Sequence, residues 1–378
     1  MSDPRDEYGF DPNYTGEDDA PDDRRALEGD EAPAASGPGD GAAALPAADD
    51  RGASRAPGVK AFDAARTAEH AAMLANRVRK RHAHLSRRFA RESIDCFRLY
   101  DRDIPEVRAV VDWYAGHLVV AEYVRRQHGP GYLQALADAV AIALGVPADR
   151  VHLRRRATGQ GEGPRYAPLA DTGHRFEVRE RDLKFLVNLD DRLDTGLFPD
   201  HRDTRARVRS VASATDFLNL YAYTGAFTCA AAAGGARSTV TVDRSSTYVD
   251  WAKDNLVLNG LWGPQHRMVR ADAEDFLDRA RLEGRQWDLV FVDPPSFSNR
   301  KGVDVGFDIN RDHPDLLRRV LAVTAPGGTV LFSTNHQRFT PRFEGLAVGS
   351  IEEITAQTVP EDYRNRQVHR CWLILHRK

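Results

Sequence analysis

The sequence is poor in cysteine and has no long apolar run. Its 378 residues include three cysteines, Cys96, Cys229 and Cys371, which lie far apart and form no CxxC pair. This pattern indicates neither a disulfide framework nor a zinc site, so we expect three reduced core residues and no metal. No run approaches the roughly 18 apolar residues of a membrane span. Because the start MSDPRDEYGF also lacks a signal-peptide pattern, we expect a cytoplasmic protein without a membrane partner.

The formal charge of −3 hides an uneven distribution of charged residues. Residues 1 to 58 carry 15 acidic and 5 basic side chains, which leaves 41 acidic and 48 basic side chains in residues 59 to 378. The first segment consists mainly of Asp, Ala, Gly and Pro, with too few large apolar groups to offset the entropy of ordering. We therefore predict a disordered acidic tail over residues 1 to 58 and a basic body after it.

Residues 59 to 93 have a helix-compatible and strongly basic sequence. Residues 60 to 91 hold 9 Lys or Arg against 2 Asp or Glu. A solvated helix face is one interpretation of this excess, and a helix that contacts phosphates is the other. The candidate RNA-binding residues are Arg77, Arg79, Lys80, Arg81, Arg87 and Arg88.

Residues 94 to 190 favour a small separate subdomain. Two strand-like stretches, CFRLY and AVVDWYAGHLVVAEYV, precede an amphipathic helix over residues 132–144, and two more, RVHLRRR and FEVRERDLKFLVNL, follow it. The pattern predicts a β-β-α-β-β unit. Its many arginines fit a module that positions RNA, and a purely structural role fits the pattern equally well.

Residues 191 to 378 show the alternation of an α/β domain. From Asp216 onward, apolar strands alternate with helices that we predict over residues 226–233, 246–259, 274–283 and 314–323. Such alternation is typical of a Rossmann-like, doubly wound and mostly parallel sheet. A ligand is therefore expected outside the carboxyl ends of the strands.

The first strand-to-helix turn argues against a dinucleotide. It reads Tyr221-Ala-Tyr-Thr-Gly225-Ala-Phe, without the GxGxxG pattern that lets the backbone approach a pyrophosphate. One glycine with flanking hydroxyl groups suits a cofactor that has no phosphates. At the end of the second strand, Asp243 can accept hydrogen bonds from a ribose diol, which both NAD and S-adenosylmethionine possess.

Two further loops add carboxylates at the same edge of the predicted sheet. Asp272, followed by Ala273, can accept a hydrogen bond from an adenine amino group, and a helix N-cap is the compatible structural alternative. Asp293-Pro-Pro-Ser-Phe297 combines a rigid backbone, one carboxylate and an aromatic ring that can stack on a base. We expect Asp293, Pro294 and Phe297 to form the catalytic site; an inert rigid turn is the alternative.

Six motifs together resemble a known family. They are LDTGLFPDHR (193–202), FLNLYAYTG (217–225), GGARST (234–239), DPPSFS (293–298), RDH (311–313) and RNRQVH (364–369). The chain resembles the guanine-N7 methyltransferase of bacterial large-subunit (23S) ribosomal RNA over residues 72 to 376. The resemblance implies a class I methyltransferase fold, the cofactor S-adenosylmethionine, and 23S rRNA or a large-subunit assembly intermediate as partner. In some bacteria this enzyme is the C-terminal half of a longer chain, and nothing here resembles the other half.

The resemblance also implies roles for individual residues. Asp243 would hold the ribose hydroxyls, Asp272 and Ala273 the adenine, and Asp293 would lie at the cofactor as well as at the target base. The turn that contains Asn219, Tyr221, Thr224 and Gly225 would hold the methionine portion. In the segment 193–202, Thr195, Phe198 and Arg202 would close over the cofactor, with Arg202 paired to its carboxylate. Pro199 departs from the apolar, more flexible residue expected at its position.

Guanine N7 carries a lone pair and no proton, so its methylation needs no general base and depends mainly on placement. We expect Asp293 to read the N1 and N2 edge of an unstacked guanine, with Phe297 on its ring.

Methylation of cytosine C5 needs a cysteine nucleophile, which the DPPS and FSTNH segments lack. Methylation of an exocyclic amino group and a non-catalytic role in ribosome assembly stay open. His313, Arg311 and Asp312 favour a structural cluster, and Asn365 and Arg366 fit either RNA contact or a solvated turn.

Overall fold

The computed structural model describes residues 64–123, 128–129, 131–156, 169–298 and 306–378. The acidic segment of residues 1 to 58 lies outside these ranges, as do residues 59–63. No helix within the described ranges is long and apolar enough to cross a membrane.

The basic helix packs on a four-stranded sheet together with a second helix. The elements are α1 (Ala64–Arg91), β1 (Cys96–Asp101), β2 (Ala109–Tyr114), β3 (His117–Tyr123), α2 (Tyr132–Leu144) and β4 (Val151–Arg156). The strand order is β1-β2-β3-β4, in which only the β3–β4 pair is parallel. Helix α1 buries Leu74, Val78, Leu85 and Phe89, whose spacing matches one face of a helix. Its opposite, basic face is left to solvent.

The strand count of this subdomain differs from the β-β-α-β-β prediction. The stretch AVVDWYAGHLVVAEYV is a hairpin of two strands, because Ala115 and Gly116 adopt left-handed φ values of 46° and 95° and reverse the chain. Three strands therefore precede α2. The stretch FEVRERDLKFLVNL is a second hairpin, β5 (Phe176–Glu180) and β6 (Leu183–Val187), which forms its own two-stranded sheet.

The rest of the described chain forms the predicted doubly wound domain. Its elements are α3 (Arg202–Val211), β7 (Asp216–Leu220), α4 (Ala226–Ala233), β8 (Ser238–Asp243), α5 (Ser246–Leu258), β9 (His266–Arg270), α6 (Ala273–Leu282), β10 (Trp287–Val292), β11 (Phe297–Ser298), β12 (Phe307–Asp308), α7 (Ile309–Ala322), β13 (Thr324–Thr334), β14 (Val348–Glu353), α8 (Thr355–Thr358) and β15 (Arg370–His376). The seven-stranded sheet has the order β14-β15-β13-β10-β7-β8-β9. Strand β15 runs antiparallel to both of its neighbours. Strands β7 to β10 and β13 are parallel, as the alternation of strands and helices predicts.

Helix α7 begins five residues before its predicted start, with Pro314 inside it. Proline has no N–H to donate to the carbonyl of Asn310, and Arg342 supplies the missing donor from outside the helix at 2.7 Å. Asp308 caps the helix by accepting hydrogen bonds from the N–H groups of Asn310 and Arg311. The early start therefore depends on a contact with a distant part of the chain.

A buried ion pair joins β1, the start of α3 and the loop before β15. Arg202 and Asp362 form this pair, with 2% and 0% of their side chains exposed. Arg202 also donates to the carbonyl of Cys96 at 3.3 Å, and Asp362 accepts from the N–H of Arg98 at 2.9 Å. Burial lowers the pKa of the Arg202 guanidinium, but the charges of Asp362 and Glu180 together outweigh burial and raise the pKa above its ordinary value. Burial raises the pKa of Asp362, which the charge of Arg202 only partly offsets.

We expect Asp362→Ala to lower the free energy of unfolding by about 3–5 kcal/mol, because it leaves the Arg202 charge buried and unpaired. Asp315→Ala is the control, since it removes an exposed i,i+3 partner of Arg318 on α7 and should cost at most about 1 kcal/mol. Urea unfolding followed by circular dichroism measures both. Equal losses for the two variants would contradict the structural role of the Arg202–Asp362 pair.

Candidate active site

Three parallel strands end level with one another and bring their next residues to one edge. Leu220 of β7 is in register with Val242 of β8 and with Val292 of β10. Tyr221 directly follows β7, Asp293 directly follows β10, and Asp243 is the last residue of β8. The sheet thus brings Tyr221, Asp243 and Asp293, which the sequence analysis predicted as site residues, to the same edge.

An open cleft lies at this edge of the sheet. Its lining residues are Leu197, Phe198, His201, Arg205, Asn219, Tyr221, Ala222, Tyr223, Thr224, Ala226, Phe227, Phe291 and Asp293. The set includes five of the predicted site residues, Phe198, Asn219, Tyr221, Thr224 and Asp293. Eight other predicted site residues do not line the cleft: Thr195, Arg202, Gly225, Asp243, Asp272, Ala273, Pro294 and Phe297.

The turn after β7 is held in a strained conformation. Tyr221 and Tyr223 have left-handed φ values of 53° and 51°, and Gly225 has 71°. A left-handed non-glycine residue costs roughly 1–2 kcal/mol and persists only where its surroundings fix it. Here Tyr223 donates its N–H to Asp243 at 2.8 Å and accepts through its hydroxyl from Gly196 at 2.8 Å. The turn is therefore a rigid wall of the cleft.

Asp243 organises the loops on both sides of β8. Its two oxygens accept hydrogen bonds from the N–H groups of Tyr223 at 2.8 Å and Ser245 at 2.9 Å. Burial raises the pKa of Asp243, and these backbone donors only partly offset it. Each oxygen keeps a second lone pair with which to accept a further hydrogen bond.

Asp272 lies next to Asp243 in space, because Ala271 donates its N–H to the carbonyl of Asp243 at 3.1 Å. Its side chain accepts from the N–H of Glu274 at 3.0 Å, so the predicted helix N-cap is confirmed. Ala273 is buried as the first residue of α6. The structure is compatible with the adenine role of both residues, which stays a prediction.

Asn219 brings a buried acceptor without a hydrogen-bond partner among the described residues to the lining of the cleft. Its side chain is fully buried, and its Nδ2 donates to Thr228 at 3.0 Å. Its Oδ1 atom is buried and accepts no hydrogen bond from any residue in the described ranges. Since burying an unsatisfied acceptor costs about 1–3 kcal/mol, this atom is expected to receive a donor from a bound molecule.

The segment before α3 corrects one prediction. Arg202 does not face the cleft, because Asp362 holds its guanidinium in the interior; a pairing with the cofactor carboxylate does not fit this arrangement. The arginine that lines the cleft is Arg205, whose Nε donates to Glu180 at 2.7 Å. Phe198 is 41% exposed and lies with its ring 5.1 Å from that of Tyr223. Thr195 sits behind the cleft and bonds to the hydroxyl of Tyr114 at 3.0 Å.

A cluster of two imidazoles and one carboxylate lies next to Asp293, and the sequence analysis did not predict it. It consists of Asp200, His201 and His369, and the two rings stack with centroids 4.1 Å apart at 14°. His201 Nε2 lies 3.5 Å from Asp293 Oδ2. Asp200 and His201 belong to the motif of residues 193–202, and His369 belongs to the motif of residues 364–369. Their presence in these motifs was the only feature of the sequence that could have pointed to the cluster.

The loop after β10 presents its residues at different depths. The side chain of Asp293 is 27% exposed, Pro294 is buried, and Phe297 is 52% exposed with its ring 5.7 Å from that of His336. Only Asp293 of the predicted catalytic trio lines the cleft itself.

Three other predicted positions have structural partners. His313 is fully buried, contacts the carbonyl of Ile309 at 2.7 Å and accepts from the N–H of Arg342 at 2.9 Å. Arg311 pairs with its neighbour Asp312 at 2.7 Å. Arg366 donates to the carbonyl of Pro360 at 2.9 Å. The contacts of His313, Arg311 and Asp312 agree with a structural cluster, whereas Arg366 is exposed and still fits either RNA contact or a solvated turn.

The six candidate RNA-binding side chains of α1 fall into two groups. Arg77, Arg81 and Arg88 bond to Asp103, the carbonyl of Asp362, and Glu361. Arg79, Lys80 and Arg87 are exposed, and within the described residues none of them has an ion pair. The second group is therefore the one available to bind phosphates.

Comparison with known proteins gives a family and a fold. A family model described as S-adenosylmethionine-dependent methyltransferase matches residues 96–361. The chain is 42% identical over 309 residues to the ribosomal RNA large subunit methyltransferase K/L of Vibrio parahaemolyticus, with 80% of this chain and 43% of that protein covered. It is 44% identical over 315 residues to the protein of the same name from Syntrophotalea carbinolica, with 82% and 44% covered. The chain thus spans less than half the length of these relatives.

Two solved structures share the fold. The structure of SMU.776, complexed with SAH, has a TM-score of 0.63 and 21% identity, and the match covers 82% of this chain and 81% of that one. A SAM-dependent methyltransferase from Agrobacterium tumefaciens has a TM-score of 0.51 and 20% identity, with 71% and 88% covered. These similarities confirm the class I methyltransferase fold.

The turn after β7 makes a prediction about Gly225. An added Cβ would lie 2.5 Å from the Cβ and 3.0 Å from the Cα of Ala252, at a left-handed φ. Gly260 is the control, because it has a similar φ of 66° and nothing within 4 Å of an added Cβ. We expect Gly225→Ala to lower the free energy of unfolding by about 1–3 kcal/mol more than Gly260→Ala does. Chemical unfolding measures the difference, and equal losses would show that α5 does not pack tightly on the turn.

Proposed function

The chain belongs to the S-adenosylmethionine-dependent methyltransferase family, and from this premise we propose that it methylates N7 of a guanine in large-subunit (23S) ribosomal RNA. The ribosomal substrate is supported by the names of relatives that are 42% and 44% identical to this chain. The observation that favours N7 is the composition of the cleft lining. It contains the carboxylate of Asp293, which can bind a base, and, among its described residues, no cysteine that could act as a nucleophile.

The cofactor is assigned to residues at the carboxyl ends of the parallel strands and in the loops that follow them. Asp243 keeps lone pairs for the ribose hydroxyls, and Asp272 and the N–H of Ala273 are assigned to the adenine. Asn219 Oδ1, buried without a donor from the described residues, is assigned to the ammonium of the methionine portion. When bound, S-adenosylmethionine supplies an electrophilic methyl group on a sulfonium, whose charge the faces of Phe198 and Tyr221 attract.

The three cysteines argue against a cytosine-C5 methyltransferase. All three are fully buried, and burial raises the pKa of each thiol, that of Cys229 to about 12. A nucleophilic attack on a pyrimidine ring requires an accessible thiolate. The cysteines are core residues in this fold and supply none.

Guanine N7 suits the groups that the cleft does offer. Its lone pair lies in the ring plane and carries no proton, so the protein needs to orient the base without removing a proton. Asp293 accepts hydrogen bonds from the N1 and N2 edge of guanine, which only this base presents as two adjacent donors. Phe297, half exposed on the same loop, stacks on the ring. Such orientation contributes up to roughly 7–11 kcal/mol of a barrier.

Two alternatives are distinguished by the product. A methyltransferase acting on the exocyclic N2 of guanine would use the same carboxylate and the carbonyls of the Pro-Pro loop, and it would yield N2-methylguanosine. A non-catalytic assembly factor would bind RNA through α1 and yield no product. Mass spectrometry of nucleosides from 23S rRNA treated with the purified protein separates the three cases, with N7-methylguanosine as the expected product.

Asp293→Ala should reduce methyl transfer to 23S rRNA by about 10²–10³-fold, the usual cost of removing one preorganised polar group from an active site. The affinity for S-adenosylmethionine, measured by calorimetry, should change little. Asp288→Ala is the matched control, because Asp288 is a half-exposed carboxylate at the opposite end of the same strand. Intact transfer in the Asp293 variant would remove this residue from the mechanism.

The exposed cations of α1 make a separate prediction about RNA affinity. Replacing Arg79, Lys80 and Arg87 together by Ala should reduce the slope of log affinity against log salt by about 2–3, since each lost phosphate contact removes roughly 0.7–0.9. The control replaces three exposed arginines of α6 and α7, Arg279, Arg281 and Arg318. Filter binding at several salt concentrations measures both slopes, and equal slopes for the two variants would contradict a role for α1.

A further inference from the structure

The cluster of Asp200, His201 and His369 connects the loop after β10, which contains Asp293, to the segments before α3 and before β15. His201 precedes α3, and its Nε2 lies 3.5 Å from Asp293 Oδ2 and 3.9 Å from Asp200 Oδ2. His369 precedes β15 and stacks on His201, while its Nδ1 lies 3.2 Å from the same oxygen of Asp200. The exposed fraction of each imidazole is 5% or less, so neither ring is free to rotate into solvent.

The charges around the two rings differ. Burial lowers the pKa of His201, but the carboxylates of Asp200 and Asp293 outweigh burial and the opposing charge of Arg205, and they raise the pKa above its ordinary value. Burial and the charge of His201 lower the pKa of His369, which Asp200 only partly offsets. The two carboxylates thus favour the charged form of His201, whereas the surroundings of His369 favour its neutral form.

The remaining faces of His201 are closed by groups that fix its ring. Phe227 and Phe291 present their rings at centroid distances of 5.6 and 6.2 Å, both in an edge-to-face arrangement. The hydroxyl of Thr204 lies 3.3 Å from Nδ1. With Nδ1 directed at Thr204, Nε2 is the nitrogen that faces Asp293.

We propose that His201 is a positioning residue, which holds the Asp293 carboxylate in one orientation at the end of β10 and is itself fixed by Asp200 and His369. This inference rests on the proposed function, in which Asp293 binds the target base. An ion pair to Oδ2 of Asp293 leaves Oδ1, and the second lone pair of Oδ2, to accept from the N1 and N2 edge of the base. His369 supports the ring of His201 by stacking on it, with the centroids 4.1 Å apart.

A metal site is the competing explanation for the same three residues. One donor atom from each of Asp200, His201 and His369 lies within 4.8 Å of the others. However, all four ring nitrogens already face protein partners, and the second nitrogen of His369 lies 3.1 Å from the hydroxyl of Thr358. Parallel stacked rings also do not direct their lone pairs at one point. Metal analysis of the purified protein should find no stoichiometric ion, and an ion that His369→Gln removes would overturn the proposal.

The titration of His201 tests the ion pair without any assay of activity. Histidine labelled with ¹³C at Cε1 gives one NMR signal per imidazole, and His201→Gln identifies the signal of His201. We expect its pKa to lie above 6.5 in the wild-type protein and to fall in Asp293→Asn, because the variant removes one of the two negative charges. Asp288→Asn is the control and should leave the pKa unchanged. An unchanged pKa in Asp293→Asn would overturn the proposal.

A kinetic comparison tests the positioning role itself. His201→Gln should lower kcat for rRNA methylation by about 10- to 100-fold, as loss of an orienting partner does in comparable sites, and leave the Kd for S-adenosylmethionine nearly unchanged. His266→Gln is the control, a buried histidine bonded to Thr239 and remote from the cleft lining. Equal kcat values for the two variants would overturn the positioning role and leave the proposed function intact. If the wild-type protein methylates no rRNA, the proposed function fails, and the NMR titration still decides whether His201 pairs with Asp293.

Discussion

The start of helix α3 is the point on which the cleft depends, because two buried arginines and a buried histidine there lie against carboxylates from three distant segments. Arg202 pairs with Asp362 before β15, Arg205 pairs with Glu180 of β5, and His201 faces Asp293 after β10. A buried charge without a partner costs several kcal/mol, so each pair specifies where its segments must lie. The parallel sheet supplies the edge of the cleft, and these pairs fix the wall opposite it.

The cleft also contains a strained turn and a buried acceptor without a partner in the described part of the chain. The turn after β7 holds two tyrosines in left-handed conformations, and Asp243 and Gly196 fix it from two sides. Asn219 keeps one buried oxygen unpaired among the described residues. Such features persist where binding energy compensates them, which is the pattern expected of a site organised before its ligands arrive. For a reaction that needs placement and no general base, a rigid wall is the main catalytic device.

The sequence predicted what depends on local pattern and missed what depends on contacts between distant residues. Apolar runs such as WDLVFV predicted the parallel strands, and the helix N-cap that was the structural alternative for Asp272 is present. The pairing of Arg202 was not predictable, because its partner Asp362 is 160 residues away. For the same reason Asp200 and His369, 169 residues apart, were not recognised as a cluster. The hairpin at Ala115 and Gly116 was missed because its apolar residues continue through a two-residue turn.

We propose that this protein places a guanine of large-subunit rRNA for methylation at N7, and chemical mapping of that rRNA tests this proposal most directly. Deletion of the gene, followed by reduction and strand scission at N7-methylguanosine, reports every such nucleotide in 23S rRNA. The account predicts that one N7 site disappears in the deletion strain and returns when the wild-type gene is restored. Retention of all N7 sites after deletion would contradict it, even though the methyltransferase fold would stand.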